Sequence, residues 1–271
     1  MSSDVQGGAV FLSLLGRDFL FDDAGGKDQI VAQIQDGSFE APLPAMIIES
    51  LSRLGGIFID VGANTGFYTV LACKASSTVS VLSFEPYPIV KESLKRNIAL
   101  NNLESRVHIY GFALSNSVGE FPLYVPDDSH GLMETSCSLE SSFKEHLKGT
   151  VRVEVKKLDL MNIVDPLSVI KVDIEGHEHA FLEGAEKTIR KNRPIIFCEL
   201  LSGARVDFYH NFLPSIGYID FRLRRDMVIR DQITHFDEAA LNHALVPVDK
   251  LPLFYDCCRA QRLEVVEQVV I

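Results

Sequence analysis

Basic side chains are scarce in this sequence relative to acidic ones. Its 271 residues include 26 lysines and arginines against 37 aspartates and glutamates, which gives a net charge of −11 at pH 7. A surface built to bind nucleic acid needs the opposite balance, because it must neutralise phosphates. The composition therefore argues against a nucleic-acid-binding protein, and we interpret the short cluster of Arg222, Arg224 and Arg225 as a solvated strand edge.

Paired cysteines and long apolar segments are also missing. The 5 cysteines contain no Cys-x-x-Cys pair, and their odd number argues against a disulfide framework. The apolar residues 9–15 are too short a run to cross a membrane, and no basic segment precedes them as it would in a signal peptide. We therefore expect a protein of the reducing cytoplasm that does not bind membranes.

Phosphate-binding glycine motifs are absent from the most informative segment, residues 57–66. It reads Ile-Phe-Ile-Asp-Val-Gly-Ala-Asn-Thr-Gly, an apolar strand pattern that ends in a turn between Gly62 and Gly66. It lacks both the Gly-x-x-x-x-Gly-Lys-Ser/Thr pattern and the third glycine of the dinucleotide fingerprint, which disfavours a nicotinamide oxidoreductase. Asp60 in the strand suits a cationic ligand better than a pyrophosphate. We therefore predict a glycine turn that lets the backbone approach a cationic, nucleotide-type ligand.

Apolar strand and helix patterns alternate from residue 57 to residue 223. Strand patterns occur at residues 57–61, 79–84, 107–114, 167–174, 194–201 and 218–223. Helix patterns follow at residues 67–75, 88–101, 175–192 and 208–216, and an antiparallel insertion is predicted at residues 121–125 and 151–158. This alternation predicts an α/β fold with a mostly parallel, doubly wound sheet.

The chain is predicted to form a single domain. Residues 1–54 are an N-terminal extension that caps the core and includes two short strands and a helix at residues 43–54. Residues 55–225 form the core, and within it the polar residues 126–150 are interpreted as a lid. Residues 226–271, with weak strand signals near 244–248 and 265–271, complete the domain.

Acidic residues follow several of the predicted core strands. In doubly wound sheets, ligands bind beyond the carboxyl ends of the strands. That rule gathers Asp60, Glu85, Ala113, Asp173 and Glu199 at one edge of the sheet. Glu85 ends the second strand, 25 residues after Asp60, where nucleotide-binding folds hold the ribose hydroxyls. A carboxylate suits this position because it accepts from two hydroxyls at once.

Candidates for a general base lie after the fourth strand. Asp173 and His177 rank first and Glu175 and Glu199 second; histidine is the side chain best suited to proton transfer near neutral pH, and Gly176 lets the chain turn toward the cleft. A solvated His177 at the start of a helix is the alternative. The same side chains are compatible with a divalent metal, but their spacing defines no coordination geometry, so a metal is not favoured.

Taken together, these segments resemble the FkbM family of S-adenosylmethionine-dependent methyltransferases. The matching stretches are residues 58–68, 84–86, 97–102, 113–115, 158–159 and 171–178, together with Glu199. The resemblance implies a Rossmann-like class I methyltransferase fold. It also implies a cofactor site in which the amino-acid end, the ribose and the adenine of S-adenosylmethionine lie near Asp60, Gly62, Asn64, Thr65, Gly66, Glu85, Pro86, Ala113 and Asp173.

The resemblance further implies O-methylation of a hydroxyl on a small molecule, a secondary metabolite or a sugar, in natural product biosynthesis. N-methylation of an amine or peptide, and a methyltransferase-fold binding protein without catalysis, remain alternatives. A nucleic-acid methyltransferase would need an Asn-Pro-Pro-Tyr type motif where this chain has Asp173-Ile-Glu-Gly. The expected partner is a small-molecule acceptor, with neither nucleic acid nor membrane, and a homodimer is compatible with the sequence.

Overall fold

A nine-stranded mixed sheet forms the centre of the molecule. The computed structural model describes residues 8–25, 27–36, 39–127, 135–144 and 146–267. Its strands are β1 (Ala9–Leu14), β2 (Arg17–Asp22), β3 (Gly56–Val61), β4 (Val79–Phe84), β5 (Val107–Tyr110), β6 (Ala113–Leu114), β7 (Gly119–Pro126), β8 (Leu147–Lys156), β9 (Leu167–Val172), β10 (Ile195–Glu199), β11 (Tyr218–Leu223), β12 (Met227–Arg230), β13 (Asn242–Pro247) and β14 (Glu264–Glu267). Across the central sheet they follow the order β5-β4-β3-β9-β10-β13-β11-β12-β14.

Helices cover both faces of this sheet. They are α1 (Gln29–Asp36), α2 (Leu43–Leu54), α3 (Phe67–Ala75), α4 (Pro88–Leu100), α5 (Glu178–Gly184), α6 (Glu186–Asn192), α7 (Val206–Ile216) and α8 (Leu251–Ala260). Phe58 packs into the core with α2, α3 and α8, whereas its neighbours Ile57 and Ile59 pack into the core with α5, α6 and α7. Both faces of β3 are therefore buried, which explains why its residues other than Asp60 are apolar or glycine. Among the described residues, no helix has the length and apolarity needed to cross a membrane.

The parallel half of the sheet confirms the predicted doubly wound α/β fold. From β5 through β4, β3 and β9 to β10, every neighbouring pair is parallel. The chain moves outward from β3 to β4 and β5, then returns to the other side of β3 with β9, so the order reverses beside β3. This reversal is the position at which doubly wound sheets leave a ligand crevice.

The predicted third strand, residues 107–114, is wrong in its extent. It splits into β5, which stays in the central sheet, and β6, which pairs with β8 in a separate three-stranded sheet. The break falls at Gly111, where the Lys91 side chain occupies the space that a Cβ would need. The antiparallel pairing of β7 with β8 confirms the predicted insertion.

The predicted lid at residues 126–150 is shorter than expected, because β7 runs to Pro126 and β8 begins at Leu147. Within the connection between them, residues 128–134 and 145 lie outside the described residues. The helix predicted at 175–192 is also wrong in its continuity: α5 ends at Gly184 and α6 begins at Glu186. A Cβ on Gly184 would overlap the carbonyl oxygen of Ser115, so the backbones touch at this break.

The N-terminal extension contains the predicted strands as the hairpin β1–β2, and α2 has the predicted bounds. Helix α1 was not predicted. Two side-chain amides, one on α4 and one directly after it, fasten the hairpin to the core: Asn101 donates to the Leu20 carbonyl at 2.7 Å, and the buried Asn97 accepts from Asp22 N–H at 2.7 Å. Asn97 also donates to the Thr65 carbonyl at 2.8 Å. The same side chain therefore holds both the hairpin and the glycine turn.

The end of the chain corrects the interpretation of the arginine cluster. Strand β11 pairs antiparallel with β12 and β13, and β12 and α8 were not predicted. Arg222, on β11, is buried and donates to both oxygens of the buried Asp231, at 2.6 and 3.0 Å. It also bonds Asp237, to which Arg224 donates at 2.7 Å. Arg222 is therefore an internal cation that joins β11 to the segment after β12, not a solvated edge.

We expect Arg222→Met to lower the free energy of unfolding by about 3–5 kcal/mol, because it leaves the Asp231 carboxylate buried without its partner. Lys95→Met removes an exposed pair with Glu92, whose side chains are 51% and 57% exposed, and should cost less than about 1 kcal/mol. Urea unfolding of the two variants provides the measurement. Equal losses would show that the Arg222 network does not hold this part of the sheet together.

Candidate active site

A cleft of about 340 Å³ opens at the carboxyl ends of β3, β4, β9 and β10. It lies beside the reversal of strand order, as the fold requires. The predicted site residues that line it are Gly62, Asn64, Glu85, Pro86, Ala113, Asp173, Glu175, His177 and Glu199. Asp60 in β3, and Thr65 and Gly66 in the glycine turn, are buried and do not line the cleft. The strand-tip rule therefore locates the cleft correctly.

The two glycines of the turn permit close packing within the protein. Gly62 has a φ of 74°, and a Cβ there would overlap the carbonyl oxygen of Asp173 after β9. Gly66 has a φ of 96°, and its Cβ would overlap the side chain of Leu94 on α4. Both positions therefore require glycine for conformation and for space. We predicted that these glycines let the backbone approach a ligand closely. At these two positions the backbone instead approaches a neighbouring loop and a neighbouring helix.

A buried carboxyl group, that of Asp60, lies beneath the turn. Its Oδ2 accepts from the Thr69 hydroxyl at 2.7 Å, and that hydroxyl lies 2.7 Å from Ser83 Oγ. Its Oδ1 has no hydrogen-bond partner among the described residues. Burial raises the pKa of Asp60, against the opposing effect of the nearby Lys171 ammonium. The turn therefore sits over a carboxyl group, which disfavours a phosphate ligand.

Glu85 links the glycine turn to the start of α4. Its Oε2 accepts from Asn64 N–H at 2.9 Å and its Oε1 accepts from Tyr87 N–H at 2.8 Å. Burial raises the pKa of Glu85 to about 7, although these two hydrogen bonds favour its ionised form. Each oxygen keeps a second lone pair. Glu85 is thus rigidly held and can still accept hydroxyl groups from the cleft.

A buried lysine, which sequence reasoning did not select, lies under the cleft. Lys171 on β9 donates to Asp173 Oδ2 at 2.8 Å, and its Nζ stands 4.6 Å from the centre of the Tyr68 ring. The Tyr68 hydroxyl donates to Glu40, before α2. Burial alone would lower the pKa of Lys171, but the carboxylates of Asp173, Glu40 and Asp60 outweigh it and raise that pKa. The sequence signal that could have revealed Lys171 is a charged residue inside an otherwise apolar strand. No such signal marks Glu40.

Glu199 ends β10 and lines the cleft next to this cluster. Burial, and then the negative charges of Asp173 and Glu175, raise the pKa of Glu199 far above that of an exposed glutamate. A carboxyl group in this state holds its proton at neutral pH and can donate as well as accept a hydrogen bond. The predicted second-rank candidate is therefore a proton-carrying group in the ligand-free cleft.

His177 reaches the cleft, but both of its ring nitrogens have partners. Nδ1 lies 2.6 Å from Glu140 Oε1, and Nε2 lies 2.9 Å from Ser115 Oγ. The carboxylate that contacts this imidazole is Glu140, from the connection between β7 and β8. No sequence signal pointed to Glu140, because it lies in a polar segment without periodicity.

Two further side chains fix the loop that carries these groups. The buried Glu178 accepts from the N–H groups of Ile174 and Gly176, at 3.0 and 3.2 Å, so it closes the loop. Ser138, in the connection between β7 and β8, donates to the Glu175 carbonyl at 2.9 Å. The described part of the predicted lid therefore packs on the loop between β9 and α5. Five of its residues line the cleft: Thr135, Ser136, Cys137, Leu139 and Lys144.

The predicted metal alternative gains no geometric support within the described ranges. No three of Asp173, Glu175, His177 and Glu199 bring ligand atoms within 4.8 Å of one another. The cluster that meets this criterion, Asp220, Asp231 and His243, is buried elsewhere under β11 and β13, where Asp231 is already occupied by an arginine.

Comparison with protein families identifies the chain. The model of the FkbM methyltransferase domain matches residues 60–220, which is more than half of the sequence. The chain belongs to the FkbM methyltransferase family. The matched residues include the end of β3, the glycine turn, Glu85, the β9–α5 loop and Glu199, so the family model covers the strand ends that border the cleft.

Two curated members of the methyltransferase class match part of the chain. Methyltransferase sdnD of Sordaria araneosa is 27% identical over 155 residues, which cover 48% of this chain and 60% of that protein. Methyltransferase 1 of Beauveria bassiana is 25% identical over 143 residues, 47% of this chain and 57% of that protein. The alignments thus span less than two thirds of either relative.

Two solved structures illustrate the similarity in fold. Methyltransferase FkbM from Methylobacillus flagellatus has a TM-score of 0.47 at 20% identity, over 70% of this chain and 43% of that chain. M. jannaschii TYW2, solved in complex with AdoMet, has a TM-score of 0.42 at 14% identity, over 90% of this chain and 86% of that chain.

The pKa shifts in the cleft predict that the ligand-free protein loses stability as pH rises. The pKa values of Glu85 and Glu178 are raised to about 7 and that of Glu199 is raised further, so the folded state binds more protons than the unfolded state. Stability then falls between about pH 5 and about pH 9. Glu199→Gln should flatten the upper part of this decline, whereas Glu104→Gln, at an exposed turn, should leave it unchanged. Melting temperatures across this range test the assignment, and parallel curves for all three proteins would contradict it.

Proposed function

We propose that the chain is an S-adenosylmethionine-dependent O-methyltransferase that acts on a hydroxyl of a small molecule. The observation that carries this proposal is the composition of the cleft in a member of the FkbM family. The cleft is lined by a glycine turn that lacks a phosphate-binding motif, by the rigidly held Glu85 and by several other carboxyl groups. Cytoplasmic location and a role in natural product biosynthesis fit the sequence and belong to the same proposal.

The lining of the cleft fits this cofactor. S-adenosylmethionine supplies a methyl group whose bond to sulfur breaks, with its electron pair going to sulfur, as the acceptor oxygen forms its bond to carbon. Glu85 retains lone pairs for the ribose hydroxyls, and Asn64 and Gly62 face the position of the amino-acid end. Ala113 and Leu114 provide an apolar surface for the adenine.

The acidic lining supports a hydroxyl acceptor over an amine. Carboxylates stabilise the charged form of a nearby amine and raise its pKa, so an amine placed at the reaction centre would stay protonated and non-nucleophilic. A hydroxyl instead needs a base to take its proton, which contributes roughly two to four orders of magnitude in rate. Asp173 and His177 remain our first candidates for that base, with Glu175 and Glu199 second.

His177 can take this role only if its Nε2 lone pair is released. The Ser115 hydroxyl has an alternative acceptor in Asn116 Oδ1, at 3.3 Å, so its rotation would free the imidazole. Glu140, at Nδ1, would then stabilise the imidazolium that forms when His177 takes the proton. The arrangement supports proton removal by His177 with Glu140 as its positioning residue.

Calorimetric titration with S-adenosylhomocysteine tests the cofactor assignment. We expect micromolar binding, about −8 kcal/mol, and at least tenfold weaker binding in Glu85→Gln, about 1.4 kcal/mol, because the amide offers one acceptor oxygen where the carboxylate offers two. Glu104→Gln should bind as the original protein does, and NAD should not bind. If the folded protein does not bind S-adenosylhomocysteine, the proposal is wrong, and a methyltransferase-fold binding protein is favoured.

A further inference from the structure

Asp28 is a buried carboxyl at the edge of the cleft that has no role in the site described above. It lies just before α1, in the N-terminal extension, and lines the cleft with only 6% of its surface exposed. Its Oδ1 accepts from Ile30 N–H at 2.9 Å and so caps the helix. Its Oδ2 is buried and has no hydrogen-bond partner among the described residues.

The surroundings of this carboxyl do not balance its charge. Burial raises the pKa of Asp28, and the charge of Asp22 adds to the increase. The Thr65 hydroxyl and the N–H groups of Ile30 and Val31 act against this increase, because each of them favours the ionised form of Asp28. Among the described residues, no lysine or arginine forms an ion pair with Asp28 or is one of the main influences on its pKa. A buried carboxylate in this condition is costly unless a cation reaches it.

The position of Asp28 indicates where that cation comes from. Thr65 belongs to the glycine turn, so the Asp28 carboxyl lies beside the segment that faces the amino-acid end of the cofactor in the proposed function. The ammonium of that amino-acid end is a compact cation with several N–H donors. It would supply both the charge and the hydrogen bond that Oδ2 lacks.

We propose that Asp28 binds the α-ammonium group of the cofactor through its Oδ2. This inference rests on the proposed function and extends the cofactor site beyond the segment matched by the family model, which begins at residue 60. The N-terminal extension therefore contributes a cofactor contact in addition to covering the core. Asp28 acts in binding and takes no part in methyl transfer.

The test combines one substitution with one change in the ligand. S-adenosylhomocysteine and its deaminated analogue, which keeps the carboxylate and lacks the amine, are titrated into the full-length protein and into Asp28→Asn. Asparagine preserves the helix cap through its oxygen but removes the charge. We expect the original protein to prefer S-adenosylhomocysteine at least tenfold, and Asp28→Asn to bind both ligands within about threefold of each other.

Two controls separate this interaction from a change in fold or in overall charge. 5′-Methylthioadenosine, which lacks the whole amino-acid end, should bind the original protein and Asp28→Asn equally. Asp23→Asn removes the same charge from a nearby exposed turn, where Asp23 accepts from Gly25 N–H, and should retain the preference for the amine. Melting temperatures show whether Asp28→Asn folds normally.

The outcomes divide clearly. A tenfold preference for the amine that disappears in Asp28→Asn and persists in Asp23→Asn supports the proposal. Equal affinity of the original protein for both ligands, or a preference that survives in Asp28→Asn, overturns it while the methyltransferase function stands. If neither ligand binds folded protein, the proposed function fails, and the assignment of Asp28 fails with it.

Discussion

The burial of the Lys171 ammonium under the cleft is the interaction on which the arrangement of the site depends. Burying an unpaired ammonium inside a sheet would destabilise the fold, and so would burying an unpaired group of carboxylates. Lys171 resolves both costs by pairing with Asp173 and lying over Tyr68, while Tyr68 in turn bonds Glu40. One cation thus connects β9, α3 and the segment before α2. The acidic lining of the cleft is tolerated because this cation lies beneath it.

Loop positions around the cleft are set by buried polar side chains more than by regular secondary structure. Asn97 fastens the hairpin to the glycine turn, Glu85 fastens that turn to α4, and Glu178 closes the loop after β9. Each satisfies backbone groups that a turn would otherwise leave unpaired. Rigid loops of this kind suit methyl transfer, because the reaction depends on aligning the acceptor oxygen with the methyl–sulfur bond.

The sequence predicts the central strands and the location of the cleft because a strand buried on both faces has a recognisably apolar sequence. A strand such as β3 must be largely apolar, and an acid such as Asp60 near its end stands out against that background. It does not predict the partners that tertiary structure supplies. Glu140, Glu40 and Asp28 come from segments without periodicity. Arg222 was misread for the same reason, since its acidic partners follow in an irregular segment.

The partners of His177 show how far geometry alone determines a chemical role. Because Ser115 and Glu140 occupy both ring nitrogens, the imidazole is fixed in orientation before any acceptor arrives. A fixed imidazole is a better base than a mobile one, provided that its lone pair becomes accessible when the acceptor binds. Ser115 is the group that controls this access, because its hydroxyl can turn to Asn116. In the proposed mechanism, Glu199 would compete with His177 as the base only after losing the proton that its raised pKa favours. The positive charge of a bound sulfonium would promote that loss, so in this proposal the identity of the base depends on the cofactor as well as on the protein.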